Sequence, residues 1–187
     1  MATTVPPIKF CIKNLTANQI QKIQDGIDKY NSIMNEFKNN SAPLGSNDKF
    51  KRMFNGFYRV RRGNEWQKAF YDIFERNRNN KKATFAGLYN ELFNAVGKCE
   101  KSFVSKMLHT INDSSPIIDK NVLSGLNIKG KNPMGVYNTL KSIYKGNLIP
   151  MADGVGFFGD FDKQFPSGKG MSKVKKIDFY LWAYFAS

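Results

Sequence analysis

Apolar residues recur along this chain at spacings of three and four and show little alternation at a spacing of two. Ile20, Ile23, Ile27, Tyr30, Ile33 and Met34 predict a helix over residues 16–38, because positions three and four apart share one face of a 3.6-residue turn. The polar run NNSAPLGSND, 39–48, predicts a linker or loop. After it, KFKRMFNGFYRVRRGNEWQKAFYDIFERNRNNKK interleaves aromatics with arginines and leads into a helix over 65–76. Thr84, a good helix-capping residue, opens a helix that runs to Val96. A short glycine-containing turn over 94–101 follows, and then a helix that breaks at Ser114, Ser115 and Pro116. Further helices are predicted over 119–126, 133–144 and 172–185. Residues 146–170, rich in Gly, Pro and Phe, predict a long irregular loop packed by its aromatics. With no internal repeat, the expected fold class is mainly α.

The helix before the Ser-Ser-Pro break is amphipathic. On a helical wheel Phe103, Val104, Met107, Leu108 and Ile111 form one stripe, while Ser102, Ser105, Lys106 and His109 lie opposite. It is expected to pack one face and to offer a polar, basic one.

Composition narrows the function classes. At 187 residues the chain is long enough for one domain, 1–187, with a substantial core, and 16 Phe with 41% hydrophobic residues exclude a disordered polypeptide. The net charge of +14 attracts polyanions, with nucleic acid expected ahead of an acidic membrane surface. No apolar run reaches 18 residues, and the start, MATTVPPIKFCIKN, has no basic segment leading into an apolar one. A soluble, cytoplasmic protein is expected. Cys11, Cys99 and His109 cannot supply four protein ligands to zinc, so neither a metal nor another cofactor is expected, and no disulfide framework is suggested.

The order helix, glycine-containing turn, helix, aspartate resembles the helix-hairpin-helix DNA glycosylases. Ile118-Asp119-Lys120-Asn121-Val122 is similar to that family's Val-Asp-Thr-His-Val element, and Gly97 to the first glycine of its hairpin, with Cys99 in place of the second. FYRVRRGNEWQ and Ser-Phe-x-Ser-Lys-x-Leu add a likeness to small bacterial proteins with an 8-oxoguanine-glycosylase-like fold. The resemblance spans about 57–126 and leaves the helix over 16–38, the segment 146–170 and the helix over 172–185 unmatched. It implies a monomeric bacterial enzyme that acts on the nucleoid DNA and removes a damaged or modified base. Some relatives with this fold take hypermodified bases out of phage DNA; repair of oxidised purines is the other implied role. Asp119 is then the catalytic carboxylate, and Lys101, 18 positions earlier, the candidate amine for a Schiff base and strand cleavage. Arg59, Arg61, Arg62, Gly97, Lys98, Ser102, Ser105, Lys106, Lys120 and Asn121 are the implied DNA contacts. The flipped base needs an aromatic or apolar pocket, for which Trp66, Phe70, Tyr71, Phe179, Trp182 and Tyr184 are candidates.

Each residue also has a plainer reading. Asp119 is a preferred helix cap, Lys101 and Lys106 fit a solvated helix face, the aromatics fit a core, and Arg59, Arg61 and Arg62 fit an ordinary loop. Gly154-Val-Gly-Phe-Phe-Gly159 imitates a phosphate loop but lacks the following Lys-Ser or Lys-Thr, and reads as turn chemistry. A DNA-binding protein without the reaction is the alternative to an enzyme, and a basic membrane-surface protein has only the charge in its favour.

Overall fold

A computed structural model describes residues 6–98 and 100–185. The protein is mainly helical, with no strand among the described residues. Ten α-helices appear there in the order α1 (Ala17–Asn39), α2 (Asp48–Tyr58), α3 (Asn64–Arg76), α4 (Phe85–Val96), α5 (Lys101–Ile111), α6 (Lys120–Gly125), α7 (Pro133–Ile143), α8 (Ile149–Gly154), α9 (Phe157–Gln164) and α10 (Lys173–Phe185). None of the described helices is long and apolar enough to cross a membrane. Contacts divide the chain into a middle unit, Asp28–Asn112, and a terminal unit formed by the residues up to Ile27 with those from Asp113 on. The long helix α1 contributes residues to both.

Several helices begin where short polar side chains satisfy free amides. Thr16 opens α1 with a capping box: its Oγ accepts from the Gln19 N–H, and Gln19 Oε1 accepts from the Thr16 N–H. Asn47 accepts from the Phe50 amide and Thr84 from the Gly87 amide. At the other end of α1, the guanidinium of Arg78 donates to the carbonyls of Phe37, Asn40 and Ala42, groups that a helix end leaves without partners. Phe37, Phe50, Phe54, Phe70, Tyr71 and Phe74 interlock beneath these caps with ring centroids 5.3–6.3 Å apart. Burying each such ring contributes roughly 1.5–3 kcal/mol.

The terminal unit centres on α10. Tyr180 packs on Phe10 and Phe157, and its hydroxyl donates to the Lys9 carbonyl at 2.7 Å while accepting from the Cys11 amide. Helix α6 lies so close to α10 that a Cβ on Gly125 would fall 2.4 Å from the Phe185 ring, so only glycine permits the approach.

The structure adds one helix that was not predicted and corrects two expectations. Residues 48–58 form helix α2, because Phe50, Phe54 and Tyr58 recur every four residues on one buried face. Residues 146–170 are not an irregular loop: a π-helical turn (Tyr144–Leu148), α8, α9 and a 3-10 turn (Pro166–Gly168) fill them. Phe157, Phe161 and Phe165 are buried at helical spacing, Pro150 follows the π-helical turn directly, and Gly156, at φ 69°, separates α8 from α9. Packing of these aromatics outweighs the weak helix propensity of the glycines. Finally, α5 has no broad polar face. Ser105, His109 and Thr110 are buried, and His109 Nε2 lies 3.3 Å from the Tyr30 hydroxyl.

Candidate functional site

The implied site residues fall in both units, Lys101 in the middle one and Asp119 in the terminal one.

In the middle unit, α2 ends at Arg59, which adopts the left-handed conformation (φ 54°, ψ 45°) unusual for a residue with a side chain. Its amide donates to the Asn55 carbonyl. The chain then alternates: Val60 is buried, whereas Arg59 and Arg61 are exposed. Neither arginine has an acidic partner among the described residues. Arg62 is held instead, its Nε 3.0 Å from Glu100 Oε1 and its NH2 3.2 Å from Oε2. That fork ties 59–62 to the start of α5, where a carboxylate also complements the helix dipole. One and a half turns along α5, Lys106 Nζ reaches the Tyr58 carbonyl at 3.4 Å and lies 5.5 and 5.2 Å from the Tyr58 and Phe103 ring centroids. Arg62 lies 5.7 Å from the same Phe103 ring. The result is a basic, aromatic surface of Arg59, Arg61, Arg62, Phe103 and Lys106, extended by Lys101, which opens α5 and has no ion pair among the described residues. Gly97, at φ 65°, closes α4, and Lys98 beside it is exposed. Cys99, the point of departure from the hairpin pattern, lies outside the described residues.

Several expected contacts do not reach this surface. Ser105 is fully buried and its Oγ donates to the Ser102 carbonyl, so it offers no group to a phosphate. Trp66, stacked on Phe70 at 4.9 Å, is buried with it in the core. Tyr71 is buried as well; its edge lines a groove of about 790 Å³ that also carries Lys51, Lys68, Asp72, Glu75 and Arg76. Cations and carboxylates neutralise one another there, with Lys68 3.0 Å from Asp72 and Lys51 2.9 Å from Asp48, so the groove has no anion-binding character. Phe179 is core in the terminal unit, while Trp182 is half-buried and Tyr184 exposed. Aromatic rings at helical spacing went to the cores because burial of a whole ring outweighs the partial exposure a pocket needs.

In the terminal unit Asp119 is half-buried and caps α6: its Oδ1 accepts from the Asn121 N–H at 2.8 Å and the Val122 N–H at 3.3 Å. Its other oxygen takes no hydrogen bond among the described residues. Lys120 and Asn121 are exposed beside it. The same unit buries a group that sequence reasoning missed. Burial, together with the negative charges of Asp178 and Asp119, pushes the Tyr144 phenol well above its ordinary range, so it keeps its proton. Lys175, almost wholly buried, lies 2.8 Å from Asp178 Oδ2 and 4.3 Å from the Phe179 ring centroid. The three-residue spacing of Lys175 and Asp178 was the available signal for this pair. Glu100 carried no comparable signal, because its partner is 38 positions away.

Among the described residues, no three His, Cys, Asp or Glu side chains come together as a metal site requires. No family model, curated protein or solved structure matches this chain.

Proposed function

We propose that the protein is a DNA N-glycosylase that removes a damaged or chemically modified base. The observation that carries this reading is the state of Asp119, with one carboxylate oxygen fixed by two backbone amides and the other uncommitted. Departure of a base builds positive charge on the deoxyribose, and a carboxylate that is oriented in advance and still has a free oxygen is suited to stabilising that charge. The exposed arginines 59 and 61, with Lys106 and Phe103, supply the cations and the aromatic face that hold a phosphodiester strand. Lys101 and Asp119 are tested separately, each by its own reaction.

The test is free-base release, followed by mass spectrometry, from undamaged, oxidised, alkylated and hypermodified phage DNA, with Asp119→Asn alongside. Asparagine caps a helix as well as aspartate does, so this variant keeps α6 and loses only the charge. Base release by the wild type that disappears in Asp119→Asn supports the reading. Persistence of strand scission in Lys101→Gln removes Lys101 from the lyase step.

A second reading, a DNA-binding protein without the reaction, is favoured by the same cap, since two amide bonds are a sufficient structural use for Asp119. Salt-dependent binding to duplex DNA, with no base released from any substrate, would select it.

A further inference from the structure

Helix α4 carries a ladder of rings. Phe85, Tyr89 and Phe93 stand four residues apart on one face, with successive centroids 6.0 and 6.1 Å apart and planes 27° and 12° from parallel. The ladder climbs out of the core toward the end of the helix: Phe85 is buried, Tyr89 half-buried and Phe93 45% exposed. Among the described residues of the middle unit, Phe93 is the one large hydrophobic side chain left exposed. Stacked on Tyr89, its ring has its plane set in advance, so a flat partner meets it with little further loss of side-chain freedom.

The surroundings favour an anionic partner. The Gly97 amide donates to the Phe93 carbonyl at 2.7 Å, and Lys98, the next residue, is exposed. The one acidic residue of α4, Glu91, pairs with Arg76 at 3.2 Å, and Glu100 is buried against Arg62. Asn90, three residues before Phe93 on the same face, is an exposed amide able to donate to a base edge and to accept from it. A second copy of this chain would bring another net charge of +14 toward Lys98, whereas a nucleic acid strand brings the opposite sign.

We propose that Phe93 is a stacking platform for an unpaired nucleobase, with Lys98 on the adjoining phosphate. Inside a duplex the faces of a base are covered by its neighbours, so only a base out of the stack can lie on this ring. The partner is therefore a single strand or an opened stretch of duplex. This rests on the nucleic-acid part of the glycosylase reading and adds the kind of strand that is engaged.

The experiment uses the full chain and a single-stranded oligonucleotide carrying one 2-aminopurine, whose fluorescence is quenched when the base stacks on a ring. Phe93→Ala is expected to relieve the quenching and to lower single-strand affinity on the order of tenfold, with duplex affinity unchanged. Phe93→Leu keeps apolar bulk without the aromatic face and should behave as Phe93→Ala, while Phe93→Trp should behave as wild type. Lys98→Gln should lower the salt dependence of single-strand binding by roughly one ion. Wild-type quenching and affinity in Phe93→Ala, or a wild type that binds no single strand, overturns the platform. So does a wild type that sediments as a dimer and a Phe93→Ala variant that sediments as a monomer with equal DNA binding, since the face then belongs to a second copy. Base release in a protein indifferent to Phe93 leaves the glycosylase reading standing alone. Quenching that depends on Phe93, in a protein that releases no base from any DNA, overturns the glycosylase reading and leaves the platform standing.

Discussion

In the middle unit 16 lysines and arginines stand against 8 acidic residues, and Arg59 and Arg61 are held out to solvent with no acidic partner among the described residues. The terminal unit has 13 against 7, yet Lys175 and Lys176 turn inward onto Asp178 and Asp162. Similar charge excess is therefore displayed in one unit and partly consumed as internal ion pairs in the other. Net charge alone does not locate a polyanion-binding face. The cations to test first are those with no acidic partner among the described residues, and Arg59 and Arg61 meet that condition close to the half-buried Phe57.

The comparison breaks most visibly at the buried pair. Asp178→Ala leaves Lys175 charged and unpaired in the interior, and a loss of about 3–5 kcal/mol is expected. For a chain of this size that is a fall of roughly 10 °C in the thermal midpoint, read by calorimetry. A shift under two degrees would show that Lys175 finds water.

Next in size is the Arg62–Glu100 fork. Arg62→Ala strands the buried Glu100 carboxylate, but Arg62 itself is 44% exposed, so screening by solvent reduces the expected loss to roughly 1–2 kcal/mol. Urea unfolding of this variant beside Arg61→Ala separates a structural arginine from a displayed one. Equal stability of the two would erase the distinction drawn between them.

Acid supplies a third probe, confined to the middle unit. Glu36 accepts from Lys49 at 2.8 Å, from Asn47 and from Asn40, and these bonds, that to Lys49 foremost, hold its carboxyl down to about 2 against an ordinary 4.5. A carboxyl whose folded value is depressed stabilises the fold above its ordinary value, and that contribution fades as pH falls from 4.5 toward 2. Glu36→Gln should therefore be less stable than wild type near neutrality, with the difference shrinking over that interval. A difference that stays constant with pH would remove Glu36 from the acid response.

The smallest effect on stability belongs to the displayed cations. Arg59→Ala and Arg61→Ala should change stability by about 0.5 kcal/mol or less while each lowers the salt dependence of DNA binding by roughly one ion. Arg59 carries one complication, because its left-handed backbone is strained and Arg59→Gly could stabilise the fold. Binding isotherms at several salt concentrations check both, and an unchanged slope would place the interface elsewhere.

Much of the helical layout was legible. Within the stripe from Ile20 to Met34, the buried positions Ile23, Ile27, Tyr30 and Ile33, with the Thr84 cap and Asp119 at the head of α6, follow from local chemistry, since a cap and a periodic face need only neighbours within one or two turns. Helix α2 was missed although Phe50, Phe54 and Tyr58 recur every four residues, because its aromatics were read together with the arginines that follow it. The segment 146–170 misled because glycine and proline report weak propensity, while Phe157, Phe161 and Phe165 report burial, and burial prevailed. For the site, the carboxylate and the cationic stretch were visible, but their partners were not.

The sequence by itself determined a mainly helical chain with a strong excess of positive charge, an aspartate poised to cap a short helix, and arginines set among aromatics. Each depends on residue type and on spacing within a few turns. Only the tertiary structure decided that Arg62 is spent on Glu100, that Ser105 and His109 are interior, that Trp66 and Phe70 are core, and that Tyr144 and the Lys175–Asp178 pair are buried. Those outcomes depend on contacts between residues far apart in the chain, where the gain from burying a ring or pairing a charge is set by neighbours that no local pattern names.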